Sequence, residues 1–183
     1  MMKQRITIFR ICLVALAAVL NIAGGQLALM LRLPIYLDSI GTIMTGILAG
    51  PWFGLLPGLI SGFIMGVTTD IYSLYFAPSG MITGLLAGLI LYKRPDRMAK
   101  FWLYALMISI PGTIVSSVIS AFLFGGVTSS GSTVLVQLLA KTPLGLTASI
   151  FMVQVVTDYL DRGVGIFLIR NVLPYLPQEM KQI

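Results

Sequence analysis

"GILAGPWFGLLPG" (Gly46–Gly58) lies between two apolar stretches, and whether it joins or separates them decides the fold. The stretches, at about 38–50 and 53–67, are each shorter than the ~20 residues that cross a bilayer core, so length alone allows one kinked helix or two short ones. Charge discriminates between them. If Gly50 and Pro51 break the chain, the apolar segments number six, at about 6–30, 38–50, 53–67, 79–92, 101–124 and 142–170. With both termini cytoplasmic, Lys3, Arg5, Arg10, Lys93, Arg94, Arg97, Lys100, Arg162, Arg170 and Lys181 then fall inside, and only Arg32 and Lys141 outside. Fusing the two stretches carries "YKRPDRMAK" (92–100) outside, against the positive-inside rule. The sequence therefore predicts a compact bundle of six transmembrane helices.

Composition agrees with that reading. Hydrophobic residues make up 57% of the chain and charged ones 10%, too few for a soluble surface. The expected unit is one all-α, multi-pass integral membrane domain over residues 1–183. Its net charge of +6 is explained by topology, so no nucleic-acid face is expected. The start resembles a signal peptide, but its apolar stretch continues to Met30 without a convincing cleavage site and reads as a retained first span. Cys12, the single cysteine, reads as a small packing residue.

Spans two, three and four are short for a hydrocarbon core of about 30 Å, and irregular backbone can complete them only where protein or a cavity shields it. The outer connections "LRLPIYLD" (31–38), "TTDIYSLYFAPSG" (68–80) and "GGVTSSGSTVLVQLLAKTP" (125–143) are rich in turn formers, hydroxyls and rings. Glycines recur four apart, at Gly46/Gly50, Gly54/Gly58/Gly62/Gly66 and Gly80/Gly84/Gly88, a spacing that lets helices pack closely within a bundle or against another subunit. Pro111 and Gly112 predict a kink in span five, where Ser116, Ser117 and Ser120 are available to satisfy freed backbone groups.

The chain has no histidine, which removes serine–histidine relays and imidazole metal sites, and no G-x-x-x-x-G-K-[ST] phosphate loop. No enzyme activity, metal or intrinsic cofactor is expected. In "TDYLDRGVG" (157–165), Asp158 and Asp161 have helical spacing, but with Arg162 they read as an interfacial charge cluster near the cytoplasm, leaving the central thirds of the spans without acid or base. Two outer acids remain. Asp38, with Ser39, is placed to cap span two and to pair with Arg32, or else to contact a ligand, and Asp70 follows span three. Tyr36, Tyr72, Tyr75 and Phe76 lie at the same level, either as an interfacial aromatic belt or as the walls of a small-molecule pocket.

The "LDSIGT" start of span two (37–42), the "GILAGPWFGLLPGLISGFIMG" run (46–66) and the loop ending in "APSG" (77–80), on a six-span chain of this length, resemble an S component of an energy-coupling factor (ECF) transporter. Within that family the chain is most similar to the cobalamin-type S components of lactobacilli. The resemblance implies a vitamin-binding subunit that captures substrate outside and delivers it to a membrane scaffold subunit and two cytoplasmic ATPase subunits. It implies cobalamin or a related corrinoid as substrate, with riboflavin, a pyridoxine-like ring or a small aromatic compound as alternatives, or a membrane sensory module without transport. The expected ligand residues are Arg32, Tyr36, Asp38, Asp70, Tyr72, Tyr75, Phe76, Ser79 and Lys141, with others from 125–141. Docking on the scaffold is expected through small residues of the first span, namely Val14, Ala17, Ala18, Asn21 and Gly25.

Overall fold

The computed structural model describes residues 8–94 and 99–176, and all regular structure among them is helical. Lys3, Arg5, Arg97 and Lys181 lie outside the described residues. The helices are α1 (Ile8–Met30), α2 (Ile40–Ala49), α3 (Pro51–Thr68), α4 (Ile71–Leu91), α5 (Phe101–Phe124), α6 (Ser132–Leu139) and α7 (Gly145–Val172), followed by a 3-10 turn at Leu173–Tyr175. Four of them, α1, α3, α4 and α5, are long and apolar enough to cross a membrane, which fits a helical membrane protein. Helix α2 is apolar but has only 10 residues, and the 28-residue α7 carries three charges near its midpoint.

The Gly46–Gly58 stretch is a break. Gly50 adopts φ 94°, which ends α2, and Pro51 takes the first position of α3, where its missing N–H leaves no helical bond unmade. Other boundaries differ from expectation. "TTDIYSLYFAPSG" is mostly helix, because α4 begins at Ile71 and continues through Pro78, so α3 and α4 reach 18 and 21 residues. Packing of the first turns of α4 against α3 outweighs the turn formers. The 125–143 segment also contains a helix, α6, which follows the left-handed Gly125 that terminates α5. Helix α5 continues through Pro111, and Ser116 and Ser117 donate across to the Gln154 side chain of α7, besides a bond from Ser116 to the Thr113 carbonyl.

The glycine repeats pack α2, α3 and α4 inside this one bundle. At the tightest point a Cβ on Gly84 would collide with the Gly54 carbonyl oxygen. Apolar residues concentrate toward the end that carries the α4 and α7 C-termini, where Ile43, Ile47, Leu91, Ile108, Ile166 and Ile169 form a buried cluster. The other half of the bundle interior is polar, and that division positions the site.

The packing sets a contrast within one helix. A Cβ on Gly80 would meet its nearest atom at 3.4 Å, an ordinary contact, whereas one on Gly84 displaces backbone. Gly84→Ala is therefore expected to cost about 1–3 kcal/mol by overpacking. Thermal unfolding of the purified protein should show a Tm lowered by several degrees for Gly84→Ala and almost unchanged for Gly80→Ala.

Candidate functional site

Gln154, Asp158, Asp161 and Arg162 follow one another at i, i+4, i+7 and i+8 and so share one face of α7, directed into the bundle. Asp161 is 1% exposed and accepts three hydrogen bonds. They come from the Leu37 backbone N–H (2.7 Å), the Ser39 hydroxyl (2.5 Å) and Nη1 of Arg162 (2.9 Å). Asp158 accepts from Thr113 (2.7 Å), Ser116 (3.3 Å) and Nη1 of Arg162 (3.4 Å). The same guanidinium donates from Nη2 to Thr83 of α4 (3.4 Å), while its Nε–H has no partner among the described residues. These three charges are therefore a mid-helix core cluster, which corrects the interfacial reading of Asp158, Asp161 and Arg162. It also corrects the expectation of central spans free of ionisable groups, and Arg162 no longer counts as an inside charge.

The "RLPIYLDSIGT" stretch (32–42) owes its path to that cluster. After α1 the chain turns at Arg32 (φ 50°) and runs back into the bundle without helix, until Leu37 (φ 54°) presents its N–H to Asp161. The Leu37 carbonyl passes so close to α1 that any Cβ on Gly24 would strike it. Helix α2 thus starts inside the bundle. Its first N–H groups are capped from α1, because Asn21 Oδ1 accepts from Gly41 N–H (2.8 Å) and Thr42 N–H (3.3 Å). The expected cap by Asp38 and Ser39 is not formed: Ser39 makes no cap bond to the helix and donates instead to Asp161. Nor do Arg32 and Asp38 form an ion pair, since the bond to Asp161 holds the segment inward while Arg32 stays exposed.

A cavity of about 620 Å³ occupies the space between this segment and helices α3, α4, α5 and α7. Tyr36, Asp38, Phe76 and Ser79 line it together with Gln154, Asp158 and Arg162. A second cavity, of about 450 Å³, adjoins it toward residues 128–130 and is lined by Asp70 and Tyr72 as well as Tyr36, Asp38 and Phe76. Ser129 closes over this side by donating to Asp70 Oδ2 at 2.9 Å. Six expected ligand residues, Tyr36, Asp38, Asp70, Tyr72, Phe76 and Ser79, therefore meet around connected space. Arg32, Tyr75 and Lys141 do not line it: Arg32 and Lys141 are exposed, and Tyr75, 45% exposed, packs edge-on against Phe124.

Sequence reasoning missed Gln154, Asp158 and Arg162, although polar side chains at helical spacing in an apolar span are a legible sign of an inward face. The α1 stripe expected to dock a scaffold also needs correction. Val14, Ala17, Ala18, Asn21 and Gly25 are buried within the bundle, where their small size admits the start of α2. Among the described residues no group of His, Cys, Asp and Glu is arranged to hold a metal ion.

These features define a helical membrane bundle with a polar, ring-walled internal cavity. No protein-family model matches the chain, and neither the curated proteins nor the solved structures include a match to it.

Removing Asp161 strands the Leu37 N–H and leaves Arg162 with one weaker carboxylate contact. Breaking a buried pair in this way costs about 3–5 kcal/mol, against about 1.5–3 kcal/mol for one hydrogen bond to a charged group. Denaturation should therefore show Asp161→Ala strongly destabilised and Ser39→Ala less so. Equal effects would show that Asp161 has no such central role.

Proposed function

We propose that this chain is the substrate-binding S component of an energy-coupling factor importer, a six-span protein of the bacterial plasma membrane that binds a vitamin from the extracellular side. The observation that carries the reading is the cavity itself: polar groups converge from four helices and a non-helical segment, with Tyr36 and Phe76 as ring walls. The adjoining second cavity is lined by residues of the connections that the charge pattern assigns outside, at 31–38, 68–80 and 125–143. The apolar cluster toward the opposite end supports entry from one side only. The chain carries no phosphate loop, so ATP hydrolysis belongs to two separate cytoplasmic subunits joined through a membrane scaffold. Since the small-residue stripe of α1 is buried, the scaffold contact moves to the exposed side of that helix, at Ala15, Val19 and Ala23.

Among the expected substrates the size of the cavity favours a small vitamin over a corrinoid. Even with the open solvent at its edge included, the space is about 620 Å³, and a corrin ring with its nucleotide loop is far larger. Purification from membranes, followed by mass and absorption spectra of whatever is bound, tests both points. A ring compound of vitamin size is the expected result, and a corrin spectrum would restore cobalamin as the substrate. Binding should fall at least tenfold in Tyr36→Ala and Phe76→Ala and stay unchanged in Tyr75→Ala and Lys141→Ala. ATP-dependent accumulation in cells that co-express scaffold and ATPases is the transport test; binding without accumulation would make the chain a membrane sensor instead.

A further inference from the structure

The first cavity is out of electrostatic balance. Two carboxylates, Asp38 and Asp158, line it with one guanidinium, Arg162, and that guanidinium also pairs with Asp161. Asp158 and Asp161 both pair with Arg162 and accept further hydrogen bonds, so their charge is spread over hydroxyls and a backbone N–H. Asp38 is different: its carboxylate pairs with no cation among the described residues and accepts no hydrogen bond from another residue's side chain. It lines both cavities, as Tyr36 and Phe76 do. Asp38 is half-buried, and a carboxylate partly withdrawn from water is stabilised by a positive partner or else takes up a proton.

A second observation points the same way from the opposite wall. Arg162 is 5% exposed, yet its Nε–H finds no acceptor among the described residues. Gln154, 4% exposed, spends its carbonyl oxygen on Ser116 and Ser117, and its amide nitrogen donates to nothing among the described residues. Buried donors are ordinarily satisfied, and both residues line the space that Asp38 lines.

Resting on the reading of a small-molecule binding subunit, we propose that the ligand is a heteroaromatic ring bearing a protonated amine. The ammonium group pairs with Asp38, the ring lies between Tyr36 and Phe76, and ring nitrogen or carbonyl acceptors face Arg162 Nε–H and the Gln154 amide. A neutral vitamin of the same size leaves Asp38 without a counter-charge, so the site discriminates by charge as well as shape.

Matched probes that differ only in amine against alcohol test this: pyridoxamine with pyridoxine, and benzylamine with benzyl alcohol, titrated against the full chain in lipid nanodiscs. For at least one pair the amine is expected to bind tenfold or more tightly than its alcohol, and Asp38→Asn should abolish that preference. Asp38 bonds to no other side chain, so Asp38→Asn should keep the Tm of the unliganded protein; Asp38→Glu, which retains the charge, should retain the preference. Equal binding within every pair, no binding of any amine, or a preference that survives Asp38→Asn would overturn the proposal. Co-purification of an uncharged vitamin sinks the amine assignment and leaves the import reading standing. The absence of any bound molecule together with no ATP-dependent uptake sinks the import reading itself.

Discussion

The Asp161 carboxylate holds the polar half of this bundle in place. It joins a backbone N–H and a hydroxyl from the segment between α1 and α2 to the middle of α7, and it is itself fixed by the neighbouring guanidinium. Without that anchor the 31–39 segment would carry unpaired amides inside an apolar environment, where each costs several kcal/mol. The anchor lets non-helical backbone run inside the bundle, and the shortness of α2 follows from it. A helix continuous from Pro34 onward would fill the space where the cavity now lies.

The interior is divided by chemistry. At one end, branched aliphatic side chains from α2, α4, α5 and α7 exclude water and fix the helices by shape. At the other, serines, threonines, Gln154 and the charges of α7 fix them by hydrogen bonds whose partners lie on different helices. Asn21 extends the same principle to α1, since its carbonyl oxygen serves the first amides of α2 while its Nδ2 donates to Thr42 at 2.6 Å. A polar interior of this kind is stable only where nearly every group is satisfied, which makes the few unsatisfied groups around the cavity informative.

Much of this was legible in the sequence. The break at Gly50–Pro51 followed from turn chemistry and charge, and Tyr36, Asp38, Asp70, Tyr72, Phe76 and Ser79 were picked out before their convergence was visible. The errors have a common physical cause. A basic residue in a hydrophobic chain was read as a topological marker, so Arg162 was assigned to the membrane surface and drew Asp158 and Asp161 with it. Spacing held the correction: with Gln154 these residues form one helical face, and a face implies a partner. Turn formers misled in the same way at Pro78, where packing against the glycine face of α3 overrides local preference. Small residues on α1 could not reveal which neighbour they admit, because α2 and an outside subunit demand the same clearance.

The contact between Ser129 and Asp70 has a further consequence. It is a single exposed hydrogen bond at the rim of the second cavity, worth about 0.5–1.5 kcal/mol, and water replaces it readily. The floor is tied by paired charges that water does not reach. Thermal fluctuation therefore acts unequally on the two ends of the cavity: the rim yields often and the floor rarely. Exchange with the surroundings is a local event that leaves the helices where they are, whereas emptying the cavity through its other end demands reorganisation of the entire charge cluster.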